Sequence, residues 1–289
     1  MNKGVSLSMD QILQQAIIKI NQSYKIPSKI VAGKPLHDGT VSRVWLLTDE
    51  KQHQYVLKQN VEVNEEVFYL KSYQSIDLLP NVLFFDRKQQ FYVYEYLSGS
   101  IQKSIRNKQA MLMKLVRKLW AQAVVVTPTK WGWASQPLND WSAFLLAEIN
   151  EAKPINDQIL SQEAYTVVAQ LTKDQRHQTQ AYLLHGDCGI HNLLQIDNQV
   201  VAVIDPQTLY GDRLFELVAT FCSSPEQLTE ETLRPAVELL LGEYPKEEVV
   251  EGVLIGLYLR MYRCYWHHRE DLPQYLLAWD DWLKKYQVN

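Results

Sequence analysis

Apolar positions recur along this chain with two different periods, and the period changes near residue 98. Ile12, Ala16, Ile17 and Ile20 fall on one helical face, and Ser8 with Gln11 forms a capping-box pattern at its start, so a helix is predicted over 8–24. Short β-type runs follow at 29–34, 41–48 and 53–59, with Asp38-Gly39 and Asp49-Glu50 at the links. A helical period over 63–74 interrupts them, and strand patterns return at 81–86 and 91–96. Beyond Ser98-Gly99-Ser100 the pattern turns mostly helical, over 101–126, 138–152, 157–178, 213–222, 229–242, 246–269 and 273–287. The expected organisation is α+β. Residues 1–97 form a small lobe with an N-terminal helix, an antiparallel sheet and one inserted helix, and residues 98–289 form a larger helical lobe. No internal repeat or low-complexity segment is visible.

One short stretch breaks the helical half. The apolar runs Leu193–Ile196 and Val200–Ile204 flank the polar Asp197-Asn198-Gln199, which is a β-hairpin signal. A hairpin brings its outer ends together. Asn192 enters the first strand and Asp205 leaves the second, so their side chains are expected to meet, with Asp187 on the loop just upstream. A carboxylate base beside an amide oxygen and a second carboxylate that converge on one cation suits phosphoryl transfer. Mg²⁺ is the expected ion at Asn192 and Asp205, because it takes oxygen ligands and is completed by waters and nucleotide phosphates. Asp187 is the expected catalytic base. Alone it would read as a loop aspartate capping backbone N–H groups; the three residues in register change that reading.

Composition narrows the remaining classes. With 289 residues and 46% hydrophobic positions the chain can build a sizeable core, which argues against disorder. A formal net charge of −4 and the absence of a Lys/Arg block argue against a nucleic-acid partner. No signal-peptide pattern and no uncharged apolar span long enough for a bilayer occurs; the most apolar late stretch, 249–266, is broken by Glu251, Arg260 and Arg263. Cys188, Cys222 and Cys264 show neither pairing nor metal-ligand spacing, which suits a reducing, cytoplasmic setting. Monomer and homodimer both remain open.

His185-Gly186-Asp187 with Asn192, then Ile204-Asp205-Pro206 and Gly211-Asp212, resembles the aminoglycoside phosphotransferase and choline kinase-like family, a branch of the protein-kinase fold. The Asp-to-Asn spacing equals that of the kinase catalytic loop. Asp205-Pro206 and Gly211-Asp212-Arg213 also have a fructosamine-kinase-like spelling. The resemblance implies a two-lobed fold, with ATP and Mg²⁺ bound between the lobes and a hydroxyl on a small molecule as acceptor. It implies that Lys58, at the end of the run Tyr55-Val56-Leu57-Lys58, orients the nucleotide phosphates. Its partner would be Glu66 on the next helix, with Glu65 the near alternative. Residues 36–44, with Gly39, Thr40 and Ser42, occupy the place of the phosphate-covering loop, although they form neither Gly-x-Gly-x-x-Gly nor a Walker A motif. Glu95 and Leu97 lie at the expected adenine-binding hinge. His185 and Asp212 are expected to support the loop, and Glu216 shares that structural role.

The acceptor is less legible. Aromatic and acidic residues crowd 131–141 and 262–282, and Trp266, Asp280 and Trp282 are the candidate pocket for a polyhydroxylated or cationic acceptor. His267-His268 lacks a further ligand at a workable metal spacing. The leading expectation is an ATP-dependent small-molecule O-phosphotransferase, with an aminoglycoside-, choline- or sugar-like acceptor. A ketosamine kinase is the alternative within that chemistry, and a non-catalytic nucleotide-binding protein is the alternative outside it.

Overall fold

The computed structural model describes residues 9–38, 42–174, 179–242 and 246–288. The chain divides into two compact units, Met1–Ser98 and Gly99–Asn289.

The first unit runs α1 (Met9–Ser23), β1 (Ile30–Asp38), β2 (Arg43–Asp49), β3 (Gln54–Gln59), α2 (Val63–Ser72), β4 (Val82–Asp86) and β5 (Phe91–Glu95). The strands form one antiparallel sheet in the order β1-β2-β3-β5-β4. Leu13, Ala16, Ile17 and Ile20 of α1 join Trp45, Leu47, Tyr55, Leu57, Phe91 and Val93 in one buried cluster. Those sheet residues are every second position of β2, β3 and β5, so α1 covers one face. The intervening residues Leu46, Val56, Tyr92 and Tyr94 are buried too, because α2 packs against β4 and β5. Covering both faces turns the expected alternation into continuous apolar runs. Ser8, half of the expected capping box, lies outside the described residues, as do Gly39 and Thr40 of the expected phosphate loop.

The second unit runs β6 (Ser100–Ile101), α3 (Lys108–Lys118), β7 (Gly132–Trp133), α4 (Trp141–Asn156), α5 (Gln162–Asp174), β8 (Tyr182–Leu184), β9 (Leu193–Ile196), β10 (Gln199–Val203), β11 (Leu209–Gly211), α6 (Arg213–Phe221), α7 (Glu230–Leu241), α8 (Lys246–His267) and α9 (Leu272–Val288). Two small sheets, β10-β9-β6 and β7-β11-β8, sit among the helices. The single helix expected over 101–126 is instead a strand, an eleven-residue helix and a short 3₁₀ turn at Trp120–Gln122. Asn107 sets the start of α3 by accepting the Ala110 N–H at 2.9 Å. Asp140 does the same for α4, taking the Ala143 N–H at 2.7 Å and displacing the expected start from 138 to 141. α4 continues past 152 through Pro154, so the next helix begins at Gln162 rather than 157; residues 175–178 lie outside the described part.

Buried polar side chains tie these helices together. Lys108 Nζ donates to the Phe221 and Ser224 carbonyls at 2.9 and 2.7 Å, and Asn156 Nδ2 donates to the Tyr258 carbonyl at 2.8 Å. α8 is apolar on several sides over Val253–Tyr258 because α4, α5, α6 and α9 all pack on it. Among the described residues no helix is long and apolar enough to cross a membrane.

Candidate active site

The hairpin forms as the pattern predicts. Ile196 faces Gln199 and Leu193 faces Val203 across an antiparallel pair. Asp197 and Asn198 take φ of 50° and 61°, so the connection is a two-residue turn with both central residues left-handed, the type whose twist matches the strands. Beyond the last strand pair the Ile204 N–H still reaches the Asn192 carbonyl at 3.0 Å. Asp205 therefore leaves the ladder directly beside Asn192, with φ of 63°. A non-glycine residue held there is over-determined by its surroundings.

The loop from β8 is clamped onto this end of the hairpin. The Gln207 N–H donates to the His185 carbonyl at 2.8 Å, and the His185 ring donates from Nε2 to the Ile204 carbonyl at 3.1 Å. Its Nδ1 accepts the Asp187 N–H at 3.3 Å. Both nitrogens are thus engaged in one neutral tautomer. Burial pushes the imidazole pKa down to about 4, against the pull of the Asp187 and Asp205 charges. His185 works as a strut, its one ring proton committed to the Ile204 carbonyl. Gly186 has φ of 78°, and a Cβ there would stand 2.0 Å from the Gln207 carbonyl oxygen, so no other residue fits.

Glu216 grips the same loop from α6. Its two oxygens accept the His185 and Gly186 N–H groups, each at 3.1 Å. Burial raises its pKa to about 8 in spite of those bonds. Asp212 caps α6 through the Leu214 N–H at 3.1 Å, and burial raises it to about 6.

Asp187 is partly exposed at the tip of this scaffold. Its Oδ2 accepts from Asn192 Nδ2 and from His191 Nε2, both at 3.0 Å. Burial alone would raise the carboxyl; the hydrogen bond and charge of His191 outweigh it and hold the group below its ordinary range. Asn192 also donates to the Asp187 carbonyl at 2.9 Å. With Nδ2 fixed twice, the amide turns its oxygen away from Asp187 and leaves it as the acceptor face. An amide oxygen next to an aspartate at the hairpin exit is a donor set that fits Mg²⁺. Among the described residues no group of three or more His, Cys, Asp or Glu is placed to hold a metal. A two-ligand site completed by phosphates and water does not need one.

A cavity of about 720 Å³ opens beside Asp187, wholly within the second unit. Asp187, His191 and Gln207 line it from the loop side, Trp133, Glu148 and Phe215 form a second wall, and Arg260, Arg263, His267 and His268 come from the end of α8. The three residues expected to form an acceptor pocket are not among them. Trp282 is core, 1% exposed, with its indole N–H on the Leu228 carbonyl at 2.8 Å and its ring edge-on to Phe221. Trp266 is 61% exposed and Asp280 lies on the surface. Their helical spacing reflected the packing of α8 and α9, and α9 turns its aromatic face inward.

In the first unit, Lys58 and Glu66 meet. Lys58 Nζ lies 2.9 Å from Oε1 and 2.8 Å from Oε2 of Glu66, and both residues are 4% exposed. Tyr92, the cross-strand neighbour of Lys58, donates to Glu66 Oε2 at 2.8 Å. Asn60 donates to Glu66 Oε1, and also to Ser42 Oγ at 3.3 Å. Glu65 is therefore not the partner that the strand lysine takes. Glu95 ends β5 and Leu97 follows it, where the Tyr96 N–H pairs with the Gln54 carbonyl at 3.0 Å.

A sheet unit with one helix clasped to it by a buried lysine–glutamate pair, followed by a helical unit bearing this loop and hairpin, is the protein-kinase-like architecture. On that fold the chain is a small-molecule phosphotransferase. The family is shown by the sequence: the model of the aminoglycoside/hydroxyurea antibiotic resistance kinases matches residues 37–238, more than half of the chain, and the chain belongs to that family. No curated protein matches it significantly. Among solved structures, a thermostable mutant of aminoglycoside phosphotransferase APH(4)-Ia, in ternary complex with ADP and hygromycin B, is similar at TM-score 0.61 and 15% identity, over 94% of this chain and 98% of that one. ADP-bound APH(2'')-Ib is similar at TM-score 0.60 and 16% identity, over 96% and 99%. A fructosamine-3-kinase candidate from Haemophilus somnus 129PT is similar at TM-score 0.58 and 17% identity, over 93% and 96%.

Sequence reading missed several residues at the site. His191 carries no motif of its own, and its spacing of four from Asp187 gains meaning only from the fold of the loop. Arg260, Arg263 and His267 recur at helical spacing, but the two arginines read as interruptions of an apolar helix and His267 as half of a His-His pair without further metal ligands.

Proposed function

We propose that this chain transfers the γ-phosphate of Mg·ATP to a hydroxyl of a small acceptor bound in the cavity beside Asp187. The observation that carries this reading is the contact of Asp187 Oδ2 with Asn192 Nδ2 at 3.0 Å, on a hairpin that delivers Asp205 alongside. The ADP and AMP-PNP complexes of the similar aminoglycoside phosphotransferases support ATP as the donor. Asn192 and Asp205 would hold Mg²⁺, which neutralises phosphate charge when bound. Lys58, fixed by Glu66, orients the phosphates; Ser42, Glu95 and Leu97 belong to the nucleotide side.

Asp187 aligns the acceptor hydroxyl for in-line attack. The acceptor oxygen bonds to the γ-phosphorus, the bond to the β–γ bridging oxygen breaks, and ADP departs with that electron pair. The hydroxyl proton passes to Asp187. A carboxylate with a depressed pKa is a weak base, so the proton moves late, once the attacking oxygen has become acidic; positioning is the larger part of the work. The buried thiols, none in a disulfide among the described residues, support a cytoplasmic setting.

Asp187→Ala is expected to lower turnover by about 10²–10⁴-fold while Mg·ATP still raises the melting temperature. Turnover within about tenfold of wild type would overturn the assignment of Asp187. A ketosamine acceptor is the second reading, favoured by the similarity to the Haemophilus somnus protein; ADP release with a ketosamine and with an aminoglycoside separates the two.

A further inference from the structure

One wall of the cavity is built by the last turns of α8. Gly256, Arg260, Arg263 and His267 recur at intervals of three and four, so one helix face presents two guanidinium groups and an imidazole to the same space. Arg260 is anchored from behind. Its Nε donates to Tyr275 Oη at 3.0 Å, and Tyr275 in turn donates to the Cys222 carbonyl at 2.9 Å. That arrangement fixes the guanidinium plane at the cavity wall. Arg263 is exposed, and its charge reaches Glu148 and Asp187.

The two carboxylates that the Arg263 charge reaches each accept hydrogen bonds within the protein. Glu148 Oε1 accepts the Trp133 indole N–H at 3.0 Å, and Asp187 Oδ2 accepts from His191 and Asn192. Among the described residues, Glu148 and Asp187 are the acidic ones that line the cavity. A polyammonium acceptor would therefore set its charges against two arginines while sharing with them the two carboxylates of the lining, one of which is the proposed base. A carboxylate or phosphate, by contrast, would find a preorganised fork, and the paired hydrogen bonds that Arg makes with such groups are among the strong ones.

We propose that the acceptor is a hydroxylated small molecule bearing a carboxylate or phosphate, held by Arg260 and Arg263 so that its hydroxyl faces Asp187. Trp133 and Phe215 then form the apolar wall along its carbon skeleton. This rests on the kinase reading above and adds the charge class of the substrate, which runs opposite to a polycationic acceptor.

The test is a thermal-shift titration of the full chain, at constant ionic strength and with saturating Mg·AMP-PNP. The probes are glycerate, glycerol phosphate, glycerol and hygromycin B. The expected result is saturable stabilisation by glycerate or glycerol phosphate, at concentrations at least about tenfold below any effect of glycerol or hygromycin B. The two anions used separately tell carboxylate from phosphate recognition. In Arg260→Gln/Arg263→Gln the half-saturating anion concentration should rise about tenfold or more while that for Mg·AMP-PNP stays within about twofold. Arg263→Gln alone, at the exposed position, supplies the same comparison if the double variant does not fold. Preference for hygromycin B, equal anion binding by wild type and variant, or no anion binding by a protein that binds Mg·AMP-PNP overturns the proposal and leaves the kinase reading standing. Failure to bind Mg·AMP-PNP overturns both.

Discussion

His191 helps to hold Asp187 in its ionised form, an effect of one exposed side chain at the edge of a buried scaffold. The ring sits 3.0 Å from Asp187 Oδ2 and opposes the upward push of burial on that carboxyl. The proposed transfer needs Asp187 ionised. Lowering its pKa extends activity toward acid, and removing His191 should withdraw that extension. His191→Ala is thus expected to move the acid limb of kcat/KM to higher pH, with a kcat loss at neutral pH of no more than about tenfold. His191→Gln restores a hydrogen bond without charge and should fall between the two. A pH–rate profile for the three proteins decides it: an unmoved acid limb in His191→Ala means that the imidazole is merely a surface neighbour. This contact was hidden in the sequence because spacing of four has meaning only when the intervening backbone is known. Here a 3₁₀ turn at Ile190–Asn192 brings the ring back onto the carboxylate. Gly186 was visible as part of a motif, but its reason, the Gln207 carbonyl behind it, comes from a segment twenty-one residues later.

At the scale of elements, β3, α2 and β5 are joined by a buried cluster that stability alone would not favour. Lys58, Glu66, Tyr92 and Asn60 share four polar contacts in a place where apolar side chains would pack. Buried ion pairs repay their desolvation poorly, whereas leaving one partner unpaired costs about 3–5 kcal/mol. Glu66→Ala should therefore lower the unfolding free energy by about that amount, since Lys58, Tyr92 and Asn60 all lose an acceptor. Lys58→Met/Glu66→Leu removes the unpaired lysine and should recover part of the loss, with Tyr92 and Asn60 still without this acceptor, yet stay inactive. Urea unfolding with a parallel ADP-release assay measures both; an active double variant would deny the pair its place in phosphate transfer. The sheet itself was legible because strand-sized apolar runs and turn residues agree locally. The pairing of Lys58 with Glu66 rather than Glu65 was legible from helix phase once Leu70 fixed the buried side. The second unit was read less well. Strands as short as Gly132–Trp133 and Leu209–Gly211 leave no period to detect, and they exist because β8 offers them partners. The break at residues 102–107 depends on the Asn107 cap, which one long apolar period concealed. Trp282 had the composition of a ligand-binding residue and the environment of a core residue, a difference that only packing reveals.

Over the whole molecule, the groups that hold the Asp187 loop also write its stability against pH. His185 is depressed to about 4, Asp212 is raised to about 6 and Glu216 to about 8, each chiefly by burial. Glu216 keeps its proton in the folded state up to about pH 8 but loses it near pH 4.3 when unfolded, so the stability it contributes is complete below that lower value and is lost as pH rises through about 8. Asp212 acts with the same sign but has finished by about pH 6. His185 acts with the opposite sign, because the unfolded ring binds a proton between about pH 4 and 6.5 that the buried ring refuses. Below pH 6.5 these contributions overlap and partly cancel; between 6.5 and 8 Glu216 stands nearly alone. Stability should therefore decline across that window, with a slope of at most about 1.4 kcal/mol per pH unit. Glu216→Gln, which cannot ionise, should be less stable at pH 6.5 and flat from there to 8. Urea midpoints at half-unit steps, with the m-value checked for constancy, provide the measurement. A wild-type profile that is flat or rising over this range, or a slope that survives in Glu216→Gln, would mean that the two N–H groups of His185 and Gly186 keep the carboxylate ionised throughout. The loop would then be held by a buried charge rather than by a shared proton.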